Sequence, residues 1–419
     1  MSADLSLHVI VALAVVAIAS HLTGRLLARF GQPPVVGEVI AGILLGPSLL
    51  GRLAPGIETA LFPPAARPAL GVIAQLGVIL YMFVVGLEFD PASLRRRAAP
   101  FMVISQVSIV LPFALGSALA LLLYGGFSPP GVPLLAFALF VGIAMSITAF
   151  PVLARILTDR GLSRSELGIA ALSCAAINDV MGWCLLGIVV GVARATMSGA
   201  LVSALMAVGF IAFMFLVARP IAIRLAGRRD GDAGVDAIGW SLALMLLSAA
   251  AAEAIGIHAI FGAFLFGAIL PADGALARYL HLSRSPFVTV IFLPAFFALT
   301  GLRTEIGLMS TPGQWAACLL VIVLATAGKF GGTFVAARLL GMPWRFAASL
   351  GVLMNTRGLM ELIVLNIGLD LGVISPALFA MMVIMALGTT MATSPALHFL
   401  TARRPSRIRD AEVPVRANR

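Results

Sequence analysis

The chain has 419 residues, of which 61% are hydrophobic and 11% charged, with a net charge of +10 and a mean hydropathy of +1.07. A soluble domain needs far more polar residues to cover its surface, so these values exclude one. Apolar runs of about 18 residues or more recur along the chain, each long enough to cross a bilayer. Their apolarity is continuous rather than alternating, which excludes a membrane barrel and leaves helices.

Thirteen spans are predicted, over 5–24, 35–51, 69–88, 99–124, 132–158, 165–193, 199–226, 235–255, 257–272, 287–302, 314–340, 345–369 and 375–401. The first has no basic leader region and no clear cleavage site, so it reads as a retained helix and not a signal peptide. The eighth and ninth meet at Ala254-Ile255-Gly256-Ile257, the shortest turn in the chain. Loops after odd-numbered spans carry Arg25, Arg29, Arg95, Arg96, Arg97, Arg160, Arg164, Arg219, Arg224, Arg228, Arg229, Arg278, Arg284, Arg338 and Arg345. Loops after even-numbered spans hold only Arg52, Arg67, Arg194 and Arg303. The positive-inside rule then places the N-terminus outside and the C-terminus in the cytoplasm. The net positive charge belongs to cytoplasmic loops and requires no nucleic-acid partner. The tail over 402–419, with Arg403, Arg404, Arg407 and Arg409, suits anionic membrane lipids and is too short to form a domain.

Within the spans, polar residues are few. Glu38 opens span two, Glu88 closes span three, Arg155 approaches the inner end of span five and Glu253 the outer end of span eight. Snorkelling or local pairing accounts for each of these four. Span five holds Thr148 one turn before Pro151, where the missing donor should bend or unwind the helix. Span six carries Asn178-Asp179 near its middle. A charge at that depth costs about 2.5–3.5 kcal/mol on insertion scales. No basic residue lies within a turn of Asp179, so its partner must come from another helix or from a transported ion. Lys329, the only lysine, sits at matching depth in span eleven and is the expected candidate. Span twelve contains Asn355-Thr356-Arg357-Gly358, and Arg357 and Glu361 are four apart on one face and can pair. A purely structural set of buried ion pairs is the alternative reading of these charges. Cys174, Cys184 and Cys318 lie inside spans as small apolar residues. No zinc spacing and no phosphate loop occurs, so neither a cofactor nor ATP is indicated.

Spans five and twelve are both interrupted by polar residues, in corresponding places and opposite directions. Their flanks also correspond. Ser163 and Glu166 fit a capping box opening span six, and Ser375-Pro376 fits a cap and first helical position opening span thirteen. An inverted repeat with two crossed, broken helices beside an acid and a base is the expected ion site of a secondary transporter. The half-helix ends present partial charges that the acid and base can balance.

Thr148-Ala149-Phe150-Pro151-Val152-Leu153-Ala154-Arg155, Asn178-Asp179 and Asn355-Thr356-Arg357-Gly358-Leu359-Met360-Glu361-Leu362 resemble the monovalent cation:proton antiporter superfamily. The plant-type cation/proton exchangers and their bacterial relatives are most similar, with the Kef-type potassium efflux proteins further off. Gln32-Pro33-Pro34-Val35-Val36-Gly37-Glu38, Gly46-Pro47, Val85-Gly86-Leu87-Glu88-Phe89-Asp90 and His258-Ala259-Ile260-Phe261-Gly262-Ala263-Phe264 also match. The resemblance implies an all-α membrane homodimer with elevator-type alternating access. Its dimerisation part would be 5–88 and 235–302, its moving core 99–193 and 314–401, and its linker 199–226. It implies that Asp179 binds a proton or a K+ or Na+ ion in alternation, with Asn178 supporting it. Thr148 would help hold the transient cation, Lys329 would balance charge or compete for Asp179, and Arg357 and Glu361 would support the core.

The resemblance has two departures. Electrogenic relatives pair two aspartates with lysine and electroneutral ones pair asparagine-aspartate with arginine, whereas this chain combines Asn178-Asp179 with Lys329. No regulatory nucleotide-binding domain is expected after the last span. The expected setting is a bacterial inner membrane. A channel-like or glutathione-responsive efflux unit, a non-transporting membrane sensor, and an intramembrane hydrolase are the competing readings.

Overall fold

The computed structural model describes residues 3–88, 98–163, 165–194, 205–206, 208–226, 235–255, 259–271 and 288–401. Among them the regular structure is all helical, with no strand. In chain order the helices are α1 (Ala3–Ala28), α2 (Pro34–Leu45), the short α3 (Leu50–Leu53) and α4 (Pro55–Leu61), α5 (Arg67–Glu88) and α6 (Ala98–Phe127). Then come α7 (Leu134–Ser146), α8 (Phe150–Asp159), α9 (Glu166–Arg194), α10 over 208–226, α11 (Val235–Ile255), α12 (Ala259–Ile269) and α13 (Leu293–Leu302). The last are α14 (Pro312–Thr326), α15 (Gly332–Leu339), α16 (Trp344–Met354), α17 (Leu359–Asp370) and α18 (Pro376–Thr401). One π-helical turn, Ala327–Gly331, joins α14 to α15, and others lie at Met214–Ala218 and Val288–Phe292.

Nine of the described helical stretches are long and apolar enough to cross a membrane. Four shorter apolar helices, over 134–146, 208–223, 259–269 and 344–354, fall on the fifth, seventh, ninth and twelfth predicted spans. Span two lies within the apolar stretch 34–53 but is broken inside it. Its helix stops at Leu45, and Gly46 in extended conformation turns the chain before Pro47. The turn between spans eight and nine lies at 256–258, outside the described residues, as do Asp90, the Arg95–Arg97 run, Arg164, His258 and the tail. The described structure likewise omits the side chains of Glu88, Arg155 and Cys184.

Lipid exposure distinguishes outer helices from central ones. On α1, Leu7, Ile10, Ile18 and Leu22 are exposed, as are Leu121 and Leu122 on α6. In water such a surface would aggregate; in a bilayer it is solvated by acyl chains. By contrast α18 buries Leu378, Phe379, Met381, Met382 and Met385.

The helices sort into two packed groups. In the first, α1 pairs with α2, α2 with α13, α5 with α12 and α13, and α11 with α12. Small residues permit these approaches. Gly42 and Gly301 bring α2 against α13, and Gly86 and Gly267 bring α5 against α12. Where lipid is as apolar as leucine, close backbone packing is what holds helices together. In the second group, α6 packs on α7, α9, α14 and α15, and α16 packs on α9, α15 and α18. Among the described residues the backbones of the two groups approach less often, as at α13 with α17 and α2 with α18, and one buried apolar cluster including Phe83, Ile260, Phe140 and Ile363 fills the seam between them.

Candidate functional site

The site grows from two helix interruptions that meet. The first runs over 147–149. α7 ends at Ser146, Ile147 is extended (φ −76°, ψ 142°), and α8 starts at Phe150. Pro151 therefore stands in the first turn of a new helix, where a missing N–H costs nothing. The second interruption runs from Asn355 to Gly358, between α16 and α17. Ala149 N donates to Thr356 O at 3.0 Å, and Thr148 Oγ1 donates to Met354 O at 3.0 Å. Gly358 permits this crossing, since a Cβ there would lie 2.7 Å from Val152 Cγ2.

Ending a helix leaves its last carbonyls without partners. At α7 three of them are taken by cations. Arg357 donates to Ala144 O at 3.1 Å and to Met145 O at 2.8 Å, while Lys329 Nζ donates to Ser146 O. The negative end of a helix dipole favours such neighbours. Arg357 also pairs with Glu361 at 3.1 Å, and neither side chain is exposed. Thr390 completes the turn, accepting from Arg357 N at 2.9 Å and donating to Arg357 O at 2.6 Å.

Lys329 occupies the π-turn between α14 and α15, a local irregularity of the kind that re-aims a side chain. Its second bond is to Ser108 O at 2.9 Å. That carbonyl is free for a definite reason. Pro112 lies four residues on inside α6 and has no N–H to give it. Gly328 lets the π-turn approach this point, because a Cβ there would fall 2.8 Å from Pro112 Cα.

Asp179 lies on α9, is 3% exposed, and faces the backbone amide of Phe150 at the start of α8. Its Oδ1 has no hydrogen-bond partner. The expected ion pair with Lys329 is not formed: the ammonium is drawn instead to the two carbonyls released by Pro112 and by the end of α7. Asn178 does not bond Asp179 either. Its Nδ2 donates to Ser108 Oγ at 3.0 Å and Thr148 Oγ1 at 3.2 Å, and its Oδ1 accepts from Ser105 Oγ at 3.3 Å. Asn178 thus ties α9 to α6 and to the first interruption. Thr148 donates one bond and accepts one, which leaves its hydroxyl a second acceptor lone pair.

Arg357 and Glu361 are paired as their spacing suggested, and Thr148 and Asn178, which the resemblance assigned to one site, meet at 3.2 Å. Ser105, Ser108, Pro112 and Thr390 were not anticipated. A serine pair three apart, one turn before a proline in an apolar span, is the signal that marks the first three. A second correction concerns the start of α9. Ser165, not Ser163, caps it, accepting from Gly168 N at 3.1 Å, because the helix begins at Glu166 and the residue before it occupies the capping position. Ser375 caps α18 as expected, accepting from Leu378 N at 3.3 Å.

Away from the crossing, a cavity of about 870 Å³ opens between the helix groups, lined by Ile260, Leu299, Thr300, Ile363 and Asn366 among others. Across it Arg303 bonds Asp370 at 2.6 Å and Asn366 at 2.8 Å, and Asn366 bonds Thr300 at 3.0 Å. No group of three His, Cys, Asp or Glu that could hold a resident metal occurs among the described residues. Cys174 and Cys318 are buried and free.

Comparison with known proteins gives a consistent picture. Residues 11–402 match the family model described as sodium/hydrogen exchanger, transmembrane. The chain is 46% identical over 381 residues to the Na(+)/H(+) antiporter NhaS4 of Synechocystis, covering 90% of this chain and 93% of that one. It is 40% identical over 404 residues to cation/H(+) antiporter 20 of Arabidopsis thaliana, covering 93% of this chain but 48% of that protein, about half its length. Among solved structures, the sodium proton antiporter MjNhaP1 of Methanocaldococcus jannaschii at pH 8 superposes with a TM-score of 0.64. It covers 95% of this chain and 97% of its own at 14% identity, a likeness of fold.

Proposed function

The chain belongs to the sodium/hydrogen exchanger family of membrane transporters, and from that premise we propose that it exchanges Na+ or K+ for protons, with Asp179 as the shared carrier. One observation carries the assignment. Lys329 and Arg357 are held by backbone carbonyls and Glu361 is paired with Arg357, whereas Asp179 has no cation bonded to it. One oxygen of each carboxylate, Asp179 Oδ1 and Glu361 Oε1, lacks a hydrogen-bond partner, and only at Asp179 is the charge also left without a counter-charge. An open carboxylate oxygen in a membrane interior is completed by a proton or by a cation. The N-terminal end of α8 favours the anionic form that receives the cation. Thr148, with its remaining lone pair, is the neighbouring ligand, and Asn178 fixes the hydroxyl in place. Lys329 and Arg357 act as stationary charge on the end of α7.

A single carrier carboxylate gives one-for-one exchange. A seam filled mainly by apolar side chains between two separately packed helix groups suits an elevator, with 5–88 and 235–302 as the dimerising scaffold, 99–193 and 314–401 as the moving core and 199–226 as linker. In this reading the protein is a homodimer in a bacterial inner membrane, its N-terminus outside and its C-terminus cytoplasmic. The test is proton flux in proteoliposomes holding a pH dye, with Na+, K+ or Li+ added against an imposed gradient. Collapse of the gradient by one or more cations, absent in Asp179→Asn, is expected. Flux that persists in Asp179→Asn would overturn the assignment.

A further inference from the structure

The seam between the helix groups holds a carboxylate that the crossing does not use. Glu38 lies one turn inside α2, on the face that meets the second helix group. Two neighbours define that face. Gln32 Nε2 donates to Met391 O at 3.1 Å, and Val35 packs against the cluster that contains Ala149, Val152 and Leu153. Glu38 follows Val35 by three residues, which on a helix is the same side. It is partly buried and makes no hydrogen bond or ion pair with the described residues.

Charged and titratable groups around it are otherwise engaged or turned outward. The helices packed on α2 carry His8, His21 and Arg25 on α1, Arg52 on α3 and His398 on α18, and Arg303 caps α13. Arg25, His21, Arg52 and His398 are exposed, Arg303 is bound to Asp370, and none of the six pairs with Glu38. From the end of α8, Arg160 donates to Ser394 O at 2.9 Å. Met391 and Ser394 are one turn apart, so the loops around Gln32 and Arg160 mark the same end of the bundle, the end read as cytoplasmic. Counting 1.5 Å per helical residue, Glu38 lies about 6 Å inside that end and Asp179 about 20 Å inside it.

We propose that Glu38 is a second, transient binding site for the exchanged proton or cation, placed in the seam ahead of Asp179 on the cytoplasmic side. This rests on the exchange reading above. A carboxylate left unpaired in an apolar seam is completed by a proton or by a monovalent cation, and elevator motion would open this seam to the carrier.

Labelling of the purified full-length protein with dicyclohexylcarbodiimide tests the site without requiring transport, since the reagent converts a protonated carboxyl in apolar surroundings to a stable N-acylurea. Peptide mass spectrometry should find the adduct at Glu38, reduced several-fold by Na+ or K+ relative to choline, in the wild type and equally in Asp179→Asn. No adduct, an adduct indifferent to the cation, or protection that vanishes in Asp179→Asn would each overturn an independent site. In proteoliposomes, Glu38→Gln should raise the apparent cation KM several-fold and Glu38→Asp should restore it. A merely structural residue would lower the rate and leave KM in place. Cation protection at Glu38 in a protein that exchanges nothing would sink the exchange reading and leave the site standing.

Discussion

At the first interruption the exposed carbonyls of α7 are held by the side chains of Arg357 and Lys329, both from other helices. At the second, the carbonyls ending α16 are held by neutral groups. Asn355 N reaches Gly351 O at 3.1 Å, Thr356 N reaches Leu353 O at 3.1 Å, and Thr148 bonds Met354 O. The acids differ in the complementary way. Glu361, in the first turn of α17, has its cation four residues earlier in the interruption that precedes this helix, whereas Asp179 faces the start of α8 with no cation bonded to it. Two buried carboxylates thus have different surroundings. In the proposed mechanism the permanent local partner keeps Glu361 structural, while the bonding of Lys329 to backbone carbonyls leaves Asp179 open to exchange.

Substitutions at these positions break or sharpen that contrast. The largest expected effect is on transport: Asp179→Asn should abolish exchange while the melting temperature in detergent stays at or above that of the wild type. Arg357→Met should do the opposite kind of damage, costing about 3–5 kcal/mol of stability by leaving Glu361 buried without its cation. Unfolding measurements should show part of that loss recovered when Glu361→Leu is added. Lys329→Met strands the carbonyls of Ser108 and Ser146, at a cost of about 1–3 kcal/mol for each group left unsatisfied. Adding Pro112→Ala, which returns an N–H to the Ser108 carbonyl, should regain part of it in the same assay. Thr148→Val removes two bonds, to Met354 O and from Asn178 Nδ2, and should cost about 1–2 kcal/mol. Arg303→Gln, at an exposed ion pair, should change stability by about 0–1 kcal/mol, less still at high salt.

Much of this was legible in the sequence because a membrane makes polar residues conspicuous. Asp179, Lys329, Arg357 and Glu361 stand out against apolar spans, and Pro151 with Asn355-Thr356-Arg357-Gly358 marks where two helices stop. The pairing of Arg357 with Glu361 follows from spacing alone. What did not follow was the partner of Lys329. Matching depth pointed to Asp179, but two backbone carbonyls won, one released by a proline on another helix and one by a helix end. A sequence displays its side-chain charges, whereas carbonyls stranded by tertiary geometry have no letter of their own. The π-turn that aims Lys329 is hidden for the same reason, because Ala327–Gly331 reads as an ordinary small-residue stretch of span eleven.

The central claim is that one carboxylate serves the proton and the cation in turn, and the direct test is the cation dependence of exchange in proteoliposomes over a range of pH. Competition at Asp179 predicts an apparent KM for the cation that rises as pH falls, with the rate at saturating cation little changed. A KM indifferent to pH, in protein whose exchange is otherwise intact, would mean that the two ions use separate sites and would contradict the account.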